Sequence, residues 1–499
     1  MIELREASEL SRRRWRVLVI ASIGVFLATL DSSIVSVALP AVSSDLRLSF
    51  SEALWVQAAY LLVVTVLLIP IGRWSERLGL YFSYWLGNLL FGVFSLAVGL
   101  SFNGPFLIGA RALQAVGSAF MLTTAASIVT AVFPAAERGR ALGLNMMGST
   151  IGQTLGPPLG GLIVAHMGWQ WIFFIKVPIA AITLLVGWDL LGAERRDRAA
   201  AAARAAAGLS TSSSGPIRVD VRGAGLLGVL LAALFVPLIF SPLWGWSSWR
   251  TIAPLASVVV LATLFVWVEG RTRDPILDLG LFRRSRVFAA ANTASLLFMA
   301  TAYGITIFTA VFLVVVQGRS AQETGLILLI QPAVMTVVTP IAGRLSDRLG
   351  SRGLSALGML VAAAGTGQLA LLHDSASTLQ IAAALFTLGL GLAIFSTPNF
   401  SSIMGSVDRS ELGVASGMFT TSRFCGMGVS IAVLGAIAAS NLGPEGGRVI
   451  LLGARATLSS AAAFATGYRE AMLAGTGFAV AGALVSLVRE RGSGRVPQS

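Results

Sequence analysis

Charged side chains are scarce in this chain of 499 residues: they make up 12% of it, against roughly a quarter in soluble domains. Hydrophobic residues make up 55%, and the mean hydropathy is +0.81, so a soluble globular fold is excluded. Lysine is almost absent, with Lys176 standing alone beside 35 arginines, and the single cysteine, Cys425, lies in an apolar stretch. No intrachain disulfide or thiolate-bound metal can form from one cysteine. The two histidines, His166 and His373, are far apart, and neither a GxxxxGK(S/T) phosphate loop nor an HExxH pair occurs. The chain therefore reads as a non-enzyme without cofactor, and nucleotide hydrolysis is not its energy source. A net charge of +13 would suit nucleic acid only if the basic residues lined a solvent-facing stripe. Here the arginines punctuate long apolar runs, so no nucleic-acid partner is expected.

What the sequence does have is fourteen stretches near the length of about 20 apolar residues that a bilayer span requires. They fall near 15–39, 53–72, 80–101, 104–132, 140–165, 170–192, 223–242, 251–269, 287–316, 323–343, 352–372, 376–403, 412–438 and 468–488. The first is too long for a signal peptide and has no small-residue cleavage site. With the N-terminus inside, 27 of the 36 basic residues fall in cytoplasmic segments and six in outer loops, the asymmetry expected of cytoplasmic loops. Both termini are then cytoplasmic.

The chain also repeats itself. Gly72-Arg73-Trp74-Ser75-Glu76-Arg77-Leu78-Gly79 returns as Gly343-Arg344-Leu345-Ser346-Asp347-Arg348-Leu349-Gly350, and Ala141, Gly143 and Gly152 match Ala415, Gly417 and Gly426. Related halves rocking about a midplane site are a common transporter plan. The expected organisation is an all-α membrane protein with a first six-helix bundle (1–192), a cytoplasmic linker (193–222) and two additional helices (223–270). A cytoplasmic loop (271–286), a second bundle (287–490) and a cytoplasmic tail (491–499) follow. Within the second bundle, segment 441–467 is too interrupted to span and is expected on the outer membrane surface.

Asp31 is the one acid well inside a span, where a carboxylate costs at least about 2.5–3.5 kcal/mol and usually has a partner. Arg111 is the candidate: at 1.5 Å per residue both lie about 10–12 Å from the outer end of their helices. The pair reads either as a static packing element or as a titrating proton site tuned by Arg111. Gly148, Gly152, Gly156 and Gly160 recur every four residues on one face of the fifth span, where another backbone can approach. Pro157 and Pro158 interrupt the same helix, which reads as a hinge or seal. Glu76 and Asp347 sit in short loops, placed to cap the next helix or pair with Arg77 and Arg348, although ordinary topology alone accounts for the arginines. Lys176, near the outer end of the sixth span, snorkels to the interface or draws an anion or lipid headgroup. Arg423 reads as a hydrogen-bond donor to neighbouring carbonyls.

Leu30-Asp31-Ser32-Ser33 leading to Ala38-Leu39-Pro40, the paired GRxS(D/E)RLG loops, Arg111-Ala112-Leu113-Gln114 and Gly152-Gln153-Thr154-Leu155-Gly156-Pro157-Pro158-Leu159-Gly160-Gly161 together resemble the 14-helix drug:proton antiporters of the major facilitator superfamily. The resemblance runs nearly end to end and implies the major facilitator fold, a bacterial plasma-membrane location, and a monomer that exchanges protons for a small-molecule substrate. It also implies proton coupling in the first half, a cytoplasmic gate at Gly72, Arg73, Glu76, Arg77, Gly343, Arg344, Asp347 and Arg348, and export by way of the fifth-span motif. The first loop departs from the family in having Glu76 where Asp is usual, and Lys176 stands where Asn is usual. Gln57, Tyr60, Gln114, Asn145, Met146, Phe298, Tyr303 and Asn399 are candidates to line a substrate cavity. With one acid available, lipophilic monocations or neutral compounds are expected over dications. Multidrug efflux, dedicated export of a natural product or lipid, and a non-transporting receptor on the same fold remain open at this point.

A cysteine placed in 193–222, in a Cys425→Ala background, is expected to resist a membrane-impermeant maleimide in intact cells, while one in 441–467 is labelled. Labelling of the linker overturns the topology.

Overall fold

The computed structural model describes residues 2–134, 137–189, 192, 220–272, 279–407, 412–442 and 458–488. The linker 193–219, residues 443–457 and the tail lie outside the described residues. The segment 441–467 expected on the membrane surface is corrected in its last part, since 458–467 open the last helix with Phe464 buried. Thirteen described helices are long and apolar enough to cross a membrane. The remaining expected span, 140–165, is a 30-residue helix, Arg138–Met167, long enough to cross but less apolar because of its glycines, prolines and polar residues. In chain order the helices are α1 (Ile2–Asp45), α2 (Phe50–Leu78), α3 (Leu80–Gly99), α4 (Gly104–Val132), α5 (Arg138–Met167), α6 (Trp171–Asp189) and α7 (Val221–Trp244). They continue as α8 (Trp249–Glu269), α9 (Arg286–Val316, ending in a π-helical turn), α10 (Ala321–Leu328 and Ile330–Leu349), α11 (Ser351–Ala370), α12 (Thr378–Met404), α13 (Leu412–Ala438) and α14 (Leu458–Leu487).

Helix starts are set by local chemistry, and that chemistry repeats. Ser49 and Glu52 form a capping box on α2, and Ser320 and Glu323 form the same box on α10; each pair satisfies two backbone donors that the first turn leaves without partners. Asn103 caps α4 and Ser377 caps α12. The α2–α3 and α10–α11 connections are single glycines with positive φ, Gly79 (107°) and Gly350 (82°), a backbone region that side chains disfavour. The expected short loops at 72–81 and 343–352 are thus corrected: the helix runs on to Leu78 or Leu349, one residue turns the chain, and the next helix begins at once. Residues Gly72, Arg73, Glu76 and Arg77 lie in the last turns of α2, and Gly343, Arg344, Asp347 and Arg348 in those of α10. The side chains of Glu76 and Asp347 lie outside the described residues.

Packing repeats as well. In α3 and α4 the backbones meet at Gly87 and Gly117, where a Cβ on Gly117 would lie 2.7 Å from Gly87 O. Gly358 of α11 and Gly391 of α12 meet in the same way, a Cβ on Gly391 lying 2.6 Å from Gly358 O. The expected glycine ladder of α5 faces α1. A Cβ would come within 2.9 Å of Ser22 O from Gly148, 2.7 Å of Phe26 O from Gly152, 2.9 Å of Ile34 N from Gly156 and 2.8 Å of Ile34 O from Gly160. Most of the ladder therefore holds the first bundle together. The contact with the other half comes from the next residues: Gly161 approaches Ala321 O of α10, and Gly325 of α10 lies against Pro157 O. Thr154 and Thr336 extend this seam with a hydroxyl pair at 3.3 Å. Pro157 and Pro158 sit inside an unbroken helix.

The two additional helices flank the seam between the halves. Gly428 of α13 leaves room for the Phe235 ring of α7, and Gly228 of α7 faces Val66 of α2. Farther out, α8 leaves Trp249, Val259 and Val260 exposed, as suits residues facing lipid.

Gly156→Leu is expected to lower the melting temperature in detergent, because overpacking costs about 1–3 kcal/mol and the neighbouring atoms include backbone. Gly143→Leu on the same helix, with nothing within 4 Å, should leave it unchanged. Equal melting temperatures for the two variants would refute the close α1–α5 contact.

Candidate functional site

Asp31, on α1, is completely buried, and so is Arg111 on α4. Burial strips both of water, so every polar atom needs a protein partner. The Arg111 guanidinium pairs with Asp31 Oδ2, as the helix depths led us to expect. It also donates to Gln114 Oε1 (2.8 Å), to Gln57 Oε1 (3.1 Å), and through Nε to Val56 O (3.2 Å). One face lies over the Tyr60 ring at 4.4 Å, a cation–π contact that contributes more where water is excluded. Gln114 in turn donates to Ser95 Oγ of α3 at 2.7 Å and to Asp31 Oδ1 at 3.3 Å.

Lys176 corrects the sequence reading. Instead of snorkelling to the interface it is fully buried, paired with Asp31 Oδ1, and seated over the Phe173 ring at 4.3 Å. Its distance along α6 was compatible with this, since five residues from Trp171 place it about 7–8 Å along the helix, close to the depth of Asp31. That it is the only lysine of the chain was the available signal. Both carboxylate oxygens of Asp31 are thus engaged by protein cations, and no free carboxylate remains to attract a positively charged substrate. With all three groups ionised, the cluster carries one positive charge in excess.

The remaining cavity candidates divide. Gln57, Tyr60 and Gln114 belong to the cluster, and Gln57 also donates to Ser32 O at 3.1 Å. Tyr303 of α9 reaches it from the other half, donating to the same Ser32 O at 2.8 Å. The others lie elsewhere. Asn145 donates to Ser22 Oγ of α1 (3.3 Å), and Phe298 stacks on Phe395 with centroids 4.9 Å apart. Asn399 donates to Ala291 O (3.1 Å) and Ser295 Oγ (2.7 Å). The Met146 side chain lies outside the described residues. Ser95 is a member of the cluster that the sequence did not single out, since a serine in an apolar span has no distinctive pattern. Arg423 makes no hydrogen bond to a carbonyl among the described residues; its contact is with the Phe419 ring, 5.6 Å away. Among the described residues no group of three or more His, Cys, Asp or Glu could hold a metal.

The chain as a whole is similar to known proteins. Residues 21–431 match the family model of the Major Facilitator Superfamily. The chain is 32% identical over 441 residues to the tetracenomycin C resistance and export protein of Streptomyces glaucescens, covering 88% of this chain and 78% of that one. It is also 32% identical over 432 residues to the multidrug resistance protein Stp of Mycobacterium tuberculosis, covering 86% and 77%. Among solved structures, a bacterial homologue of the human lysosomal transporter Spinster, inward-facing and unoccupied, superposes with a TM-score of 0.64 at 18% identity over 95% of this chain and 96% of that one, a likeness of fold. The chain is therefore a multi-pass membrane transporter, not an enzyme, and belongs to the Major Facilitator Superfamily.

Proposed function

We propose that this transporter is a monomeric, proton-coupled exporter of lipophilic toxic compounds in a bacterial plasma membrane, with both termini cytoplasmic. The observation that carries the coupling is the buried Asp31–Arg111–Lys176 cluster joined to the opposite half through Ser32 and Tyr303. Protonating Asp31 would remove the anion that both cations share. Two positive charges in a low-dielectric interior then repel, so Arg111 and Lys176 must rearrange. Because Ser32, the next residue on α1, accepts the Tyr303 hydroxyl, that rearrangement bears on a contact between halves. A proton gained on one side and lost on the other thereby biases which face opens, and one charge moved through 100 mV supplies about 2.3 kcal/mol.

Export is supported by the α5 motif, whose Pro157 and Gly161 touch α10 across the seam, and by the likeness to relatives described as resistance and export proteins. The first of those relatives is described as a tetracenomycin C exporter, which favours dedicated export of one natural product as the second reading. In this scheme the last turns of α2 and α10 act as the cytoplasmic gate. Arg73, Arg77, Arg344 and Arg348 line those turns.

Asp31→Asn, which keeps the size of the side chain but removes its charge, is expected to abolish gradient-driven uptake of substrate into everted vesicles while substrate still binds. The decisive measurement is substrate-induced proton release from purified protein across a pH series; parental release from Asp31→Asn would move the coupling site elsewhere. At the gate, Asp347→Asn should lower the transport rate with folding and substrate affinity retained, whereas Glu76→Asp should be harmless. An unchanged rate for Asp347→Asn would reduce that turn to a topological anchor.

A further inference from the structure

Charges deep in the spans do not balance. Asp31 is the one buried acid there among the described residues, and Arg111 and Lys176 both rest on it. Arg423 adds a third cation. It lies on α13, eleven residues from Leu412 and fifteen from Ala438, and the residue is partly buried. Among the described residues it makes neither an ion pair nor a hydrogen bond. Its recorded neighbour is the Phe419 ring, which lies 5.1 Å from the Phe400 ring of α12.

A guanidinium left without an anion in a low-dielectric setting is costly. Two helices pack on α13 near this level: Ser422 donates to Asn292 Oδ1 of α9 at 3.3 Å, Gly426 packs on the backbone of α9, and Gly428 packs on Phe235 of α7. At 1.5 Å per residue, Arg423 is about 16 Å along the helix from Leu412, deep for a lipid headgroup. A mobile anion drawn into the protein therefore answers the imbalance better than lipid does, and the Phe419 ring near the guanidinium, itself packed on Phe400, suits an aromatic or otherwise apolar body.

We infer that the transported compound is a lipophilic organic anion, its carboxylate or phenolate neutralised by Arg423 beside Phe419, with the surplus cation of the Asp31 cluster disfavouring positively charged compounds. This rests on the transporter reading and narrows its substrate class, against the monocations that a lone Asp31 would favour.

The test uses two dyes on one xanthene frame, anionic fluorescein and cationic rhodamine 123, binding to the purified full-length protein in zwitterionic phosphatidylcholine nanodiscs by fluorescence polarisation. Fluorescein should bind at least about tenfold more tightly than rhodamine 123, and Arg423→Gln should weaken it by about tenfold or more, the scale of losing one buried charge partner. Arg423→Lys keeps the charge and should restore most of the affinity, and Lys176→Gln should narrow the preference by admitting rhodamine 123. Absence of fluorescein binding, equal or tighter binding of rhodamine 123, or unchanged fluorescein affinity in a folded Arg423→Gln variant would each overturn the inference. Loss of fluorescein binding only when phosphatidylglycerol is added would show that Arg423 serves lipid headgroups, and would overturn it too. The export reading fails separately: fluorescein that binds with this selectivity but is not moved by a proton gradient refutes export and leaves the anion site standing, whereas gradient-driven efflux of rhodamine 123 alone does the reverse.

Discussion

One carboxylate shared by two buried cations fixes the first half of this protein. Asp31 can be ionised in the bilayer interior only if α4 and α6 deliver Arg111 and Lys176 to its two oxygens. Removing one partner of such a buried set costs about 3–5 kcal/mol, because a charge is left uncompensated. That penalty pins the depth and rotation of three helices at once. The amides of Gln57 and Gln114 then bring α2 and α3 into the same arrangement, since Arg111 has donors to spare and Gln114 reaches Ser95.

The second constraint is steric. Apolar side chains gain little by leaving lipid for a helix interface, so close backbone approach carries much of the association. The α1–α5 ladder, the Gly87–Gly117 crossing and its counterpart at Gly358–Gly391 are such approaches. Ser33 of α1 donates to Gly152 O at 3.1 Å within the ladder. Helix α1 thus carries the ionised site, the packing surface for α5 and, at Ser32, the acceptor for Tyr303. A change of charge at Asp31 is felt along a helix tied to α4, α5 and α9.

Much of this was legible in the sequence, for reasons that differ by element. Spans follow from local composition, and the repeat follows from two motifs at fixed offsets; the Asp31–Arg111 pair follows from matched helix depths. The fifth span was legible by its position in the series, although it is the least apolar. Lys176 was misread because burial and snorkelling make the same demand on a lysine near a helix end. Only the approach of α6 to α1 separates them, and no local pattern encodes that approach. Asn145 and Asn399 looked like cavity residues because an amide in a span is unusual, yet each is spent on a hydrogen bond between neighbouring helices of its own bundle. The glycine ladder was legible as a contact surface; which helix it would face was not.

The single-residue connections at Gly79 and Gly350 have a mechanical consequence. A longer loop would act as a slack tether, letting adjoining helices slide past each other, but one residue supplies only two soft torsions. Helices α2 and α3, and likewise α10 and α11, are therefore held in register at the end where the glycine joins them, while each leg packs mainly on other helices. Either pair can hinge at its glycine but cannot slide there.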